Sequence, residues 1–259
     1  MASRPLNPIA ILKSTIDLPM RGADKKVILA IEASGPDASV AVGRAGSLLH
    51  LEPVAHGARH DDDLMPAVAR AFDRIAAAPQ NLAEVYISIG PGGFTGLRIA
   101  IATAKMLALA TGCRIVAVPE CLAAAEAVAI GSGGTDLAPV AVCLAGKQGE
   151  FWCAISPTIG RSEGHVLTAA EVIRQASDAG ITRICISQPL DSVAQLVAQA
   201  RAAALEVVES HPDALQVFAV GRRLAESGCF ISAPQLAPIY PREPEAVRIW
   251  RQRQAQSPQ

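Results

Sequence analysis

The sequence predicts an α/β protein of two lobes, each a mixed sheet flanked by helices. Three observations carry this. Short apolar runs bounded by turn residues alternate with stretches of helical periodicity. A tight glycine loop, Gly90 to Arg98, joins a strand of fully buried type to a nearly all-apolar helix. The two halves of the chain also share an order of strands followed by helices, which is the layout of layered α/β folds. The expected division is a flexible N-terminal extension at residues 1–25, lobes at 26–130 and 131–235, and an extended tail at 236–259.

The elements follow in order. Val27 to Ile31 reads as a buried strand, and Gly35-Pro36-Asp37 as turn chemistry. Ser39 to Val42 and Ser47 to Glu52 complete an opening three-strand meander across Gly43 to Gly46. Asp61, Asp62 and Asp63 offer an N-cap for a helix running to Ala78, with Pro66 in its first turn and Pro79 ending it. Val85 to Ile89 is a strand, Thr95 to Ala110 a helix with Gly112 at its C-terminal left-handed position, and Arg114 to Val118 a strand. Pro119 opens a helix to Ile130, and Gly131 to Thr135 separates the lobes. Pro139 to Leu144 and Glu150 to Ile155 form a hairpin across Gly146-Lys147-Gln148-Gly149. A helix at Ala169 to Ser177, a strand at Arg183 to Ser187, a helix at Asp191 to Ala204, a strand at Leu205 to Val208 and a helix at Asp213 to Glu226 follow.

Composition narrows the function. Half the residues are apolar and 18% are charged, which excludes a disordered chain. Lys plus Arg (23) nearly balances Asp plus Glu (24), and aromatics are 3%, so neither a large basic footprint nor a base-stacking platform is expected. Cys113, Cys121, Cys143, Cys153, Cys185 and Cys229 include no CxxC pair and sit mostly in apolar runs. They read as small buried hydrophobes in a reducing compartment rather than a disulfide set or a zinc site. No segment reads as a membrane span, and the first 24 residues lack the sustained apolar core of a signal peptide. A cytoplasmic location is the expectation.

Gly90-x-Gly92-Gly93-x-x-Gly96, between a strand and a helix, has two readings. Main-chain N–H groups at a helix N-terminus can cradle a phosphate, and Ser34, Gly90, Gly92, Gly93 and Thr95 are the candidates. The other reading is a tight turn that brings helix and sheet close. A P-loop is excluded because no Gly-Lys-Ser/Thr follows, and a dinucleotide fingerprint lacks its acid on the next strand.

The flanking helices carry more apolar surface than one sheet needs. Leu64, Val68, Ala71 and Ile75 make one stripe of the first helix, and Met65, Ala69, Phe72 and Ala76 a second. The helix after the glycine loop is apolar almost all round, with Gly96, Ala100, Ala104 and Ala108 as a small-residue stripe and Arg98 and Lys105 on one face. Such surface is covered either within the chain or by another chain. The candidate interface is therefore Leu64, Val68, Ala71, Phe72, Ile75, Gly96, Arg98, Ala100, Ile101, Ala104, Lys105 and Ala108.

Several strings together resemble one family: Leu29-Ala30-Ile31-Glu32-Ala33-Ser34, Ser39-Val40-Ala41-Val42, His60 with Leu64-Met65-Pro66, Ile89-Gly90-Pro91-Gly92-Gly93-Phe94-Thr95-Gly96-Leu97-Arg98-Ile99, and Ala102-Thr103-Ala104-Lys105. They look like TsaB, also called YeaZ, from Val27 to Glu126. Gly149-Glu150-Phe151-Trp152 and Ala237-Pro238-Ile239-Tyr240-Pro241-Arg242 fall where similar family patterns occur. The resemblance implies an actin-like ATPase (ASKHA) fold. It also implies a part in making N6-threonylcarbamoyladenosine at position 37 of tRNA, as a non-catalytic paralogue of the transferase TsaD. The implied partners are TsaD, a second copy when alone, and the ATPase TsaE, with tRNA met only through the complex. The shared interface in that family uses the first two helices of the N-terminal lobe.

Departures from the family bear on chemistry. TsaD-like relatives carry a His-x-x-x-His metal pair just after the strand equivalent to Arg114–Val118. Here the stretch is Pro119-Glu120-Cys121-Leu122-Ala123-Ala124, so no metal site of that kind is expected. His56-x-x-x-His60 has ligand spacing, but Gly57 and the acidic residues after it suggest a loop. Glu32-Ala33-Ser34 and Leu144-Ala145-Gly146 replace family strings that often read Asp-Thr-Ser and Asp-Ala-Arg. No catalytic residue or resident cofactor is expected in the isolated chain, with ATP or ADP entering only at the level of the complex. The alternative is an independent ASKHA-fold phosphotransferase or glycoprotease-like hydrolase, for which Glu32 and Asp37 are the nearby carboxylates.

Overall fold

The structure is a computed structural model and describes residues 26–55, 63–134, 136–146, 149–187, 193–241 and 250. Residues 1–25, His56, His60, Asp61, Asp62, Lys147, Gln148, Asp191 and Arg242 lie outside the described residues.

The meander is β1 (Val27–Glu32), β2 (Ser39–Arg44) and β3 (Ser47–Pro53). It leads through α1 (Leu64–Arg74) to β4 (Leu82–Ser88), α2 (Phe94–Thr111), β5 (Arg114–Val118) and α3 (Glu120–Gly131). The second half repeats the plan with β6 (Ala141–Ala145), β7 (Glu150–Ile155), β8 (His165–Thr168), α4 (Ala169–Asp178), β9 (Arg183–Ile186), α5 (Ala194–Ala202), β10 (Glu206–Glu209) and α6 (Ala214–Glu226). The first sheet runs β3-β2-β1-β4-β5 and the second β10-β9-β6-β7-β8. Read from its first strand, each sheet has the same scheme. β1 pairs antiparallel with β2 and parallel with β4, and β6 pairs antiparallel with β7 and parallel with β9. This doubled βββαβαβ plan gives an α/β fold with two mixed sheets flanked by helices.

Strand alternation builds the layers. Leu29 and Ile31 of β1 and Val85 and Ile87 of β4 point into a core shared with α1 and α2. Ala30, Tyr86, Val116 and Val118, on the opposite face, point into a second core with α3 and α6. That core continues to Val142, Leu144, Trp152 and Cys185 of the second sheet, so α3 and α6 lie between the sheets. A third core joins the far side of the second sheet to α4 and α5. The order of layers explains why α3 is apolar all round: it is walled by protein on both sides. Its two acids, Glu120 and Glu126, are both buried, and Glu126 pairs with Arg223 of α6. Two glycines permit close approach of α6. A Cβ on Gly221 would sit 2.5 Å from Tyr86 Cγ, and one on Gly43 2.5 Å from Phe218 Cζ.

Several sequence expectations change. The first helix ends at Arg74 rather than Ala78, because Ala76 takes a left-handed conformation (φ 48°) and Pro79–Asn81 is a 3-10 turn. Asp63 stands at the N-cap position of α1 but its side chain does not cap it. The carboxylate instead accepts two bonds from Arg70 (3.0 and 2.9 Å) and one from the Ala55 N–H (2.6 Å), and Arg70 holds its pKa down at about 2. Strand β8 was not expected. It is four residues long and half-exposed, and its approach depends on Gly164, where a Cβ would lie 2.2 Å from the Trp152 ring. Five of the six cysteines are buried and free, and Cys229 is exposed.

Helix α2 is the one described helix with the length and apolarity of a short membrane span. Core helices meet the same criterion. Leu97, Ala100, Ile101 and Ala104 are buried inside this protein, and Arg98 and Lys105 interrupt the apolar run.

Candidate functional site

A cleft of about 430 Å³ opens between the lobes. The C-terminal ends of parallel strands form its floor, the usual ligand position in α/β sheets. Ser34, Asp37, Gly92, Gly93 and Glu120 line it from the first lobe, and Leu144, Trp152, Ser187 and His211 from the second. Tyr240 and Pro241 close one side.

Strand register brings the floor together. Ile31 is level with Ile87, so Glu32 and Ser88 end neighbouring strands, and Ser88 is level with Val118, two residues before Glu120. Glu32 is fully buried. Its Oε1 accepts the N–H and the hydroxyl of Ser34, each at 2.5 Å, and its Oε2 has no partner. Burial pushes its pKa up, and the Ser34 bonds pull part of the way back. Glu120 is 2% exposed, donates its main-chain N–H to the Gly90 carbonyl at 2.9 Å, and also has an unpartnered Oε2. Burial first, and then the Glu32 charge, push the Glu120 carboxyl up to about 8, against a lowering by the Ser187 hydroxyl. Burial thus disfavours the charged form of both carboxyls at this floor. The hydroxyls of Ser88 and Ser187 sit beside the Glu32 and Glu120 carboxyls and lower their pKa values against the effect of burial.

The glycine loop packs directly on the Ala33–Ser34 backbone. A Cβ on Gly92 would lie 2.4 Å from the Ser34 carbonyl oxygen, and one on Gly96 2.3 Å from that of Ala33. The Gly93 N–H donates to the Ser34 carbonyl at 2.7 Å. Gly90, with φ 81°, is buried over Leu97. Of the five residues read as a phosphate loop, Ser34, Gly92 and Gly93 reach the cleft. Gly90 lies beneath it, and Thr95 faces a separate groove of about 300 Å³ with Leu64, Phe94 and Ile99. No Lys or Arg is among the described residues lining the cleft, while Asp37 and Glu120 are.

The residues read as a partner face separate into two sets. Leu64, Val68, Ala71, Phe72, Ala100, Ile101 and Ala104 are buried in the core of the first lobe. The small-residue stripe Gly96, Ala100 and Ala104 serves helix-to-sheet contact inside the chain, not approach of a second helix. Ile75, Gly96, Lys105 and Ala108 are half-buried, and Arg98 is exposed. The outward surface is carried by residues left off the list: Met65 of α1 (49% exposed) and Phe94, Met106 and Leu109 of α2 (51, 63 and 81%). Four of the eight large apolar side chains exposed among the described residues are on these two helices.

Arg98 ties this face to the tail. Its guanidinium carbon lies 3.6 Å from the Phe94 ring centroid, and its Nε donates to the Tyr240 hydroxyl at 2.9 Å. Leu236 is buried and the Ile239 N–H donates to the Ile89 carbonyl, so the segment after α6 is anchored beside the glycine loop. Glu120 and Ser187 were not singled out from the sequence, and Tyr240 was noted only within the string Ala237 to Arg242. The signal for Glu120 was an acid directly after a buried strand, and Ser187 carries no local signal.

Comparison with known proteins gives concordant results. Residues 52–172 match the family model of TsaD, tRNA N6-adenosine threonylcarbamoyltransferase. Over 81 residues the chain is 34% identical to the tRNA threonylcarbamoyladenosine biosynthesis protein TsaB of Bacillus subtilis (strain 168). That match spans 31% of this chain and about a third (35%) of the Bacillus protein's length. The fold resembles YeaZ from Pseudomonas aeruginosa, with a TM-score of 0.65 and 23% identity over 83% of this chain and 99% of that one. A Pseudomonas aeruginosa protein described as similar to peptidase YeaZ superposes with a TM-score of 0.67 and 22% identity, over 84% of this chain and 100% of that one. The chain thus resembles TsaB and the TsaD family model in sequence over one segment, and YeaZ in fold over most of its length.

Proposed function

We propose that this protein takes part in forming N6-threonylcarbamoyladenosine on tRNA, as a non-catalytic docking subunit for a TsaD-type transferase in the cytoplasm. The outward face of α1 and α2 is the docking surface. A second copy occupies the same face when the transferase is absent, a TsaE-like ATPase joins the assembly, and tRNA and nucleotide are met only in the complex.

The observation that carries this reading is the exposure of the large apolar side chains Phe94, Met106 and Leu109 on α2 and Met65 on α1. A monomer gains nothing by holding these side chains in water, and burying each fully stabilises a complex by roughly 1.5–3 kcal/mol. The test is co-purification of the full-length chain with the TsaD of its own cell, alongside an ATP-turnover assay of the isolated chain. A stable pair with no turnover is expected. A chain that stays monomeric at high concentration and ignores TsaD would remove the docking role. ATP turnover abolished by Glu32→Ala would instead make the protein an enzyme.

A further inference from the structure

Two cysteines face each other across the hairpin of the second sheet. Cys143 of β6 and Cys153 of β7 are direct partners in the antiparallel register, and their sulfur atoms lie 3.0 Å apart. Both are buried, and both belong to the core that α4 and α5 share with the far side of this sheet. Directly opposed residues of an antiparallel pair have Cα atoms about 4.5–5.5 Å apart, inside the roughly 4.4–6.8 Å that a disulfide spans. The pairing is also exclusive. Cys185 of β9 is level with Val142 and packs in the core on the opposite face. Cys121 is in that core too, with its thiol donating to the Ser162 carbonyl at 3.6 Å. Cys113 belongs to the core of the first lobe, and Cys229 is exposed.

We propose that Cys143 and Cys153 are an oxidation site, at which a peroxide closes a reversible disulfide that staples β6 to β7. One thiolate attacks a peroxide oxygen, the O–O bond breaks, and a sulfenic acid forms as hydroxide leaves. The second thiol then displaces the sulfenic oxygen as water, so that the S–S bond forms as the S–O bond breaks. Two thiols and one hydrogen peroxide give one disulfide and two waters. Each sulfur loses one electron and the peroxide gains both. Burial first, and then the Cys153 thiol itself, push the Cys143 thiol well up, so the resting Cys143 is protonated and reacts slowly. Burial also selects a small oxidant. Strand β8, which covers the outer edge of β7, is four residues long and half-exposed, and its local opening admits the peroxide. The next pair in the register, Leu144 and Trp152, lines the interlobe cleft, so the staple fixes that wall. The site stands independently of the docking role and uses no residue of the α1/α2 face.

The test uses the full-length protein, reduced, freed of reductant and exposed to hydrogen peroxide while folded. Catalase removes the excess, free thiols are alkylated in denaturant, and the peptides are mapped by mass spectrometry. A cross-link between Cys143 and Cys153 is expected, reversed by dithiothreitol. The oxidised protein should melt about 5 °C above the reduced one, because the bond constrains the unfolded chain. Cys153→Ala loses both the cross-link and the rise, and Cys185→Ala keeps both. The mapping is made on the wild type, so it decides the matter even where a variant folds poorly. The proposal is overturned if no cross-link between Cys143 and Cys153 forms in the folded protein, if either joins Cys121 or Cys185 instead, or if the bond forms only after unfolding. A cross-link that leaves the melting temperature unchanged overturns the stapling role.

Discussion

Replacing Glu120 by Gln in metal-free buffer should change how stability depends on pH. The carboxyl is buried, and its pKa in the folded chain is pushed from an ordinary 4.5 up to about 8. The folded state then holds a proton that the unfolded state releases between those values. Stability is therefore lost as pH rises from about 4.5 through about 8. The whole interval corresponds to at most about 5 kcal/mol, at roughly 1.4 kcal/mol per pH unit. Glutamine fills the same space and does not titrate. At pH 5 the two proteins should be similar in stability. At pH 8 the variant should be the more stable by a few kcal/mol, a large share of the roughly 5–15 kcal/mol of a typical domain. Glu32, also raised by burial, remains in both proteins and cancels in the comparison. Urea unfolding at pH 5, 6, 7 and 8 with chelator present reads the difference. Curves that stay parallel across this range would show that Glu120 is not buried against Glu32, and the floor of the cleft would have to be redrawn.

Two further substitutions test the packing. Gly96→Ala places a methyl 2.3 Å from the Ala33 carbonyl oxygen, so α2 must move off the sheet, at a cost of about 1–3 kcal/mol in urea unfolding. Gly131→Ala, with no atom within 4 Å of its new methyl, should be neutral or slightly stabilising, and equal effects at the two sites would refute the close-packing role of the glycine loop. Arg98→Ala removes the contacts to Phe94 and Tyr240. It should raise hydrogen exchange across residues 236–241 while changing global stability by no more than about 1 kcal/mol, and unaltered exchange there would mean that Arg98 does not anchor the segment.

Much of the fold was legible from pattern. The runs at Val27 to Ile31 and Val85 to Ile89 are apolar on both faces because cores lie on both sides of the first sheet. The end of α2 at Gly112 follows from a left-handed residue where glycine is cheapest. The doubling of topology was visible only as a shared order of elements, since pairing register is not written in composition. Helix α1 was read too long because Ala76, an ordinary helix former, takes positive φ under tertiary constraint. Of the site, the glycine loop was legible and its purpose was half so. Spacing alone leaves both a phosphate cradle and a packing turn open, and the Ala33 and Ser34 carbonyls against Gly96 and Gly92 favour the second.

The excess of apolar residues on α1 and α2 was also legible, but not which of them face outward. Periodicity gave two stripes of α1 without saying which one meets the sheet. The stripe with Leu64, Val68 and Ala71 proved to be inside, and of the other only Phe72 is buried with it. An arginine at Ala104, which is 0% exposed, would therefore report on folding rather than on docking.

The most direct test of the docking account is light scattering on the chain mixed with its own TsaD. Wild type should be compared with a Met106→Glu, Leu109→Arg double variant. Both positions are well exposed, so the variant should keep its melting behaviour while affinity falls about 30-fold or more, the effect of losing 2 kcal/mol or more at an interface centre. A folded variant that still pairs with TsaD at wild-type affinity would contradict the claim that this face of α2 is where a partner binds.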